Sequence, residues 1–189
     1  MTGRLKNPAR ALSDLARCAA RVTVHEGWER NGAMMITVSV LGEDEALAEV
    51  QAVGTPGCAF YVTDATAEDK WGPFAYDVLM ERASEVGLGL LPDWQEVSPD
   101  ARSVWRHYAT ERKDVDRSRA SSDQILPGTG KLYRPLFPEA RFVTSKKPTT
   151  LAALGRKGCG TYSVGRATLR LEERPLLAGA GTTGRRPVR

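Results

Sequence analysis

The stretch that decides the fold is Cys58–Asp93, CAFYVTDATAEDKWGPFAYDVLMERASEVGLGLLPD. Cys58 to Thr63 is a short apolar run, the kind that fills a buried central strand. A polar loop follows. A helix then begins at Gly72-Pro73 and stops at Gly87, matching the preference for proline just inside a helix start and glycine just past its end. Phe74, Ala75, Val78, Leu79, Ala83 and Val86 recur at helical spacing and form its apolar face. Leu88–Leu91 returns as a short strand. A strand, a helix and a strand in that order predict an α/β domain.

The flanking sequence extends the pattern. Met34–Leu41 (MMITVSVL) alternates, with Met34, Ile36, Val38 and Val40 on one side and Met35, Thr37 and Ser39 on the other. The polar turn Gly42–Glu45 leads into Ala46–Val53, a plausible antiparallel partner that Gly54-Thr55-Pro56-Gly57 breaks. Upstream, Pro8 starts a helix over 8–21 with Leu12, Leu15, Ala16 and Ala19 as its stripe. Downstream, Ser98-Pro99 caps and starts a helix that buries Ala101, Val104, Trp105 and Tyr108. After Arg112 the order weakens. Leu132–Val143 has room for a short strand, though Pro135 and Pro138 argue against a central one, Thr149–Arg156 fits a short helix with Thr149 or Thr150 as its cap, and Tyr162–Leu171 alternates weakly.

Charge divides the chain in the same place. Residues 1–112 carry 11 Lys/Arg against 17 Asp/Glu, whereas 113–189 carry 16 against 6. The expectation is an acidic α/β domain over 1–112 and a basic extension over 113–189, made of short helix and strand pieces with a disordered tail at 178–189. At 189 residues, 41% of them hydrophobic, the chain can bury a core without staples. Cys18, Cys58 and Cys159 show no CxxC spacing, so three free thiols in a reducing, cytoplasmic setting are expected. No apolar run reaches membrane-spanning length, and neither metal-ligand spacing nor a Ser/His/Asp or Cys/His arrangement is present.

The order from residue 34 onward, carried by Cys58–Asp93 and by VSPDARSVWRHYATER at 97–112, resembles the GNAT superfamily of N-acetyltransferases. The resemblance implies a mixed, mostly antiparallel sheet flanked by helices. It also implies a central strand that splays from its neighbour and pairs its backbone, here Tyr61, Val62 and Thr63, with the pantetheine arm of acetyl-CoA. The pyrophosphate would sit at the start of the next helix, on Lys70, Trp71, Gly72, Phe74 and Ala75. First-turn N–H groups and the helix dipole favour an anion there. Only Gly72 remains of the family's glycine pair, and Lys70 stands where the first glycine would be. The alternative for Gly72-Pro73 is plain turn chemistry, the usual role of a lone glycine before a helix. On the same resemblance Asp64 stands where a carboxylate base is kept and Tyr108 where a phenol reprotonates the thiolate; the alternatives are a strand-end turn residue and a core tyrosine. Trp71 would stack on a ligand or cover the splayed strands. His107 lies off the apolar stripe and is expected in solvent.

The segment further resembles GNAT-like proteins of tailed-phage genomes, whose helix often opens with Gly-Pro. KKPTTLAALGRKG at 146–158 resembles a closing Leu-rich turn in them. Two functions follow as expectations. One is an acyl-CoA-dependent N-acyltransferase with an unidentified amine acceptor. The other is a non-catalytic GNAT-like scaffold, acting in a virion or on nucleic acid. In the second, Lys146-Lys147, Arg156-Lys157 and Arg185-Arg186, with Tyr133, Phe137, Phe142 and Tyr162, would hold a phosphate backbone.

Overall fold

A computed structural model describes residues 8–17, 19–68, 71–93, 97–128, 134–135, 137–157 and 164–168. The elements run in order α1 (Pro8–Arg17), β1 (Arg21–Trp28), β2 (Met34–Leu41), β3 (Ala46–Gly54), β4 (Ala59–Ala67), α2 (Gly72–Val86), β5 (Gly89–Leu91), α3 (Pro99–Thr110), β6 (Val115–Arg119), α4 (Ser122–Ile125), a 3-10 turn at Pro138–Arg141, β7 (Phe142–Lys146), α5 (Thr149–Lys157) and β8 (Val164–Thr168). The fold is mixed α/β. Its single sheet has eight strands in the order β6-β7-β5-β4-β3-β2-β1-β8. The β4–β5 and β1–β8 pairs are parallel and the others antiparallel.

The alternation read from Met34–Leu41 holds: Met34, Ile36, Val38 and Val40 are buried, and the strand pairs with Ala46–Gly54 as expected. The central run extends to Ala67 as β4, which sits between β3 and β5. Three further strands, β1, β6 and β7, do not show in the apolar pattern. In β1, the inward positions are Val22, Val24 and Glu26, and a carboxylate at the third hides the alternation. In β7, Thr144 and Lys146 are buried polar residues, and Pro138 has already spent its constraint at the start of the preceding 3-10 turn.

The placement of β7 bears on the division at residue 112. It lies between β5 and β6, with Leu90 opposite Thr144 and Val115 opposite Lys146. Residues 115–146 therefore complete the sheet that 21–91 begin, and the charge boundary at 112 is no break in it. The tail at 178–189 lies outside the described residues.

α2 is the central piece. Phe74, Ala75, Tyr76, Asp77, Val78, Leu79, Met80, Glu81 and Ala83 are all buried, so the helix is enclosed on most sides rather than laid on the core by one stripe. One large cluster joins it to α1, β1–β4, α3 and α5 through Leu15, Ile36, Val50, Phe60, Trp105 and Leu154. A smaller one gathers Ala59, Leu91, Ile125 and Val143, with Tyr61 packed against it. Since successive strand residues face opposite ways, Ala59 and Phe60 serve one cluster each.

Gly87 ends α2 for a reason other than a left-handed cap. Its φ of −155° is extended, but a Cβ there would lie 2.2 Å from the Cys58 carbonyl oxygen. Leu88 N–H donates to that oxygen at 2.9 Å, which starts the β4–β5 pairing. Gly89 is positive in φ at +124°, with a Cβ position 2.5 Å from the Thr144 carbonyl oxygen. Only glycine lets β7 close on β5 here.

Candidate functional site

β4 and β5 pair over a short register, Ala59–Gly89, Phe60–Leu90 and Tyr61–Leu91. β4 then continues to Ala67, paired in the sheet with β3 alone. β5 ends at Leu91, and a cleft of about 240 Å³ lies beside the stretch of β4 that runs on past it. Its walls are Val62, Thr63, Asp64 and Ala65 of β4, Tyr76 of α2, Asp93 beyond β5, and Val97, Ser98, Ala101 and Trp105 at the start of α3.

Local chemistry fixes each wall. Gln51/Ala52 opposite β4 carries a register shift, which re-aims the strand beside Asp64. Asp64 is exposed, and its Oδ1 accepts the Ala65 N–H at 2.9 Å. Ser98 is the N-cap of α3 and its Oγ accepts the Ala101 N–H at 3.2 Å, with Pro99 opening the helix as expected. Trp105 stands edge-on to Tyr76, centroids 5.8 Å apart and planes at 81°.

Tyr76 is the wall that sequence reasoning missed. It falls off the stripe assigned to α2, yet α3 covers that side of the helix and leaves Tyr76 4% exposed. Its hydroxyl makes no hydrogen bond among the described residues. Burial, and then the charge of Asp64, push the phenol up to about 12. It remains protonated at any working pH. The only signal in the sequence is a tyrosine facing the aromatic stripe of the next helix.

The other anticipated residues are distributed as follows. Val62, Thr63 and Asp64 line the cleft. Tyr61 turns to the smaller core cluster, where burial and then Glu29 and Asp93 raise its phenol. Trp71 is 8% exposed and sets its ring edge-on to Phe74 at 6.3 Å, so it covers the core rather than presenting a stacking face. Phe74 and Ala75 are likewise core, and Gly72 is buried with a Cβ position 3.2 Å from Ala67 Cβ. Lys70 lies outside the described residues, as do Tyr133, Cys18 and Cys159.

Tyr108 lies behind Trp105, ring centroids 5.9 Å apart. Its hydroxyl donates to Asp77 Oδ1 at 2.8 Å and lies 3.2 Å from the Pro73 carbonyl oxygen. Arg112 completes the set, reaching both Asp77 carboxylate oxygens at 3.1 Å and both Asp114 oxygens at 2.7 Å. Burial holds the Tyr108 phenol well above 10, reinforced by Asp77. Burial also raises Asp77, against the pull of Arg112. His107 departs from the expectation of solvation: its side chain is 12% exposed, Nδ1 is 3.3 Å from Glu111 Oε2, and Nε2 is buried without a partner among the described residues.

Lys146 also departs from its expected place on a basic surface. It is buried, ion-paired to Glu81, and within 2.8 Å and 3.2 Å of the Thr149 and Thr150 hydroxyls. Among the described residues no cluster of three His, Cys, Asp or Glu has metal-binding geometry, and no helix is long and apolar enough to cross a membrane. No family model, curated protein or solved structure matches this chain.

Proposed function

We propose that the protein is an acyl-CoA-dependent N-acyltransferase of GNAT-like build, acting in the cleft between the far half of β4 and the start of α3. The observation that carries this is the short parallel register of the two strands, which ends at Tyr61–Leu91 while β4 runs on, unshared on that side, through Val62 and Thr63. A strand edge in a cleft is suited to an extended amide-bearing arm, since backbone N–H and C=O groups match those of a pantetheine. The start of α2, at Trp71 and Gly72, follows the same strand in the chain and would face the pyrophosphate.

The reaction is the attack of an amine nitrogen on the thioester carbonyl. The C–N bond forms, the C–S bond breaks, and an amide and free CoA thiol leave. Asp64 is the group that takes the amine proton, through water, because it is an exposed carboxylate on the cleft wall. Tyr76, protonated and without an internal partner among the described residues, returns a proton to the departing thiolate. Tyr108 supports Trp105 and Asp77 instead. Most of the rate would come from holding the two reactants together.

The test is a thermal-shift titration with acetyl-CoA and with CoA. A ligand at a hundredfold its Kd stabilises the folded state by about 2.7 kcal/mol. No shift for either compound removes this reading.

A specific observation favours a second reading, a non-catalytic scaffold that associates with nucleic acid, in a virion or otherwise. Arg102 and Arg106 on α3 and Arg117 and Arg119 on β6 are all exposed. Arg117 lies 4.3 Å over the Phe142 ring and within 3.5 Å of the Ala109 carbonyl oxygen, which brings β6 and its charge against α3. Such a surface suits phosphate neutralisation.

A further inference from the structure

The cleft itself indicates what kind of amine enters it. Its polar walls are two carboxylates, Asp64 and Asp93, the Tyr76 hydroxyl and the Ser98 hydroxyl; no lysine or arginine stands among the described lining residues. The apolar walls are Val62, Ala65, Val97, Ala101 and Trp105. Ser98 is committed to capping α3. Tyr76 is different. A phenol more than nine-tenths buried normally has its hydroxyl paired within the protein. This one has no hydrogen bond among the described residues and lies on the cleft wall.

We infer that the cleft takes a primary alkylammonium, its head drawn by Asp64 and donating to the Tyr76 oxygen, its methylene stem lying along Val97, Ala101 and Trp105. An ammonium offers three donors and no acceptor, which suits a carboxylate and a phenol oxygen. The cleft is open to solvent on one side, so its walls recognise the ammonium and its first methylenes rather than the whole of the molecule that carries it. As an acceptor site the assignment rests on the acyl-transfer reading. As a cation site it stands on the walls alone. When the acyl donor is present, the bound ammonium loses one proton through water to Asp64 before its nitrogen attacks.

The experiment is an NMR-detected titration of the full chain with n-butylammonium and, as the uncharged match in length, n-butanol, at low ionic strength where charge is least screened. Saturable shifts confined to amides such as Val62, Thr63 and Ala101 are expected with the amine, and n-butanol should bind at least about tenfold more weakly. Asp64→Asn should weaken the amine about tenfold, and Tyr76→Phe, which keeps the ring, severalfold. Equal binding of amine and alcohol, or an unchanged affinity in Asp64→Asn, overturns the inference. A separate titration with acetyl-CoA distinguishes the two readings: amine binding without acetyl-CoA binding leaves the cation site standing and removes acyl transfer.

Discussion

Glu81 of α2 and Lys146 of β7 form an ion pair with side chains 0% and 1% exposed, and the carboxylate also closes the start of α5. Glu81 Oε1 accepts the Thr150 N–H at 2.9 Å and Oε2 accepts the Leu151 N–H at 2.8 Å. A buried carboxylate thus caps, from 69 residues upstream, a helix whose own threonines were expected to do so. Thr149 instead turns its hydroxyl to Glu81 and Lys146. The two partners are not equivalent. Without Lys146, Glu81 keeps two N–H donors, a hydroxyl and the positive end of a helix. Without Glu81, the ammonium keeps two threonine hydroxyls and a distant Asp114 at 3.9 Å, and α5 loses its cap. Glu81→Ala should therefore destabilise more than Lys146→Ala, with the larger loss about 3–5 kcal/mol. Urea unfolding of both variants measures the order, and hydrogen exchange should show α5 opening first in Glu81→Ala.

Tyr108 separates a structural from a catalytic phenol. Its hydroxyl is fixed to Asp77 inside the Arg112 network, at 2.8 Å. Removing it by Tyr108→Phe leaves Asp77 with Arg112 and should cost about 1–2 kcal/mol in unfolding free energy. On the proposed acyl-transfer reading, turnover by this variant should be close to wild type, whereas Tyr76→Phe should lower kcat with stability nearly unchanged. Steady-state rates and melts on both variants check the assignment; a collapse of kcat in Tyr108→Phe alone would return the general acid to that residue.

Asp114 gives a pH dependence with a definite sign. Its hydrogen bonds to Arg112 hold its carboxyl below the ordinary 3.8. A group depressed on folding contributes stability that is present above its unfolded pKa and is lost as pH falls through the folded one. The contribution is therefore intact at neutral pH and disappears below about pH 4. The carboxyl is half exposed, so solvent screening keeps the effect small. Asp114→Asn should flatten the acid limb of a Tm–pH profile and leave its slope above about pH 6 unchanged.

What the sequence disclosed, and what it hid, follows from where charge is buried. Met34–Leu41 is legible because every inward residue is apolar. Pro73 and Ser98-Pro99 are legible because caps are local chemistry. β1 and β7 are hidden by Glu26 and Lys146, charges that only make sense with Arg82 and Glu81 from α2 beside them. β6 is hidden because an edge strand buries little, here Val115 alone. In the candidate site, Val62, Thr63 and Asp64 are reached through the family resemblance and not through periodicity. Tyr76 is reached by neither, since α3 encloses α2 and no periodicity on one helix reports what another helix covers.

The arginines of α3 and β6 lead to the last prediction, which concerns the scaffold reading. If Arg117 and Arg119 neutralise phosphates, each pairing releases counterions, and the slope of log K against log salt should fall by about 1 for every arginine removed. Arg117→Gln with Arg119→Gln should then reduce the slope by about 2 and weaken binding evenly across DNA sequences. Both side chains are exposed and β6 is an edge strand, so the fold should tolerate the change. Lys146→Ala should leave the slope alone, because that charge is already matched inside the protein. Filter binding of duplex and single-stranded DNA between roughly 25 and 200 mM salt reads all three. Absence of wild-type retention at the lowest salt would dispose of the scaffold reading and leave these arginines as a solvated face.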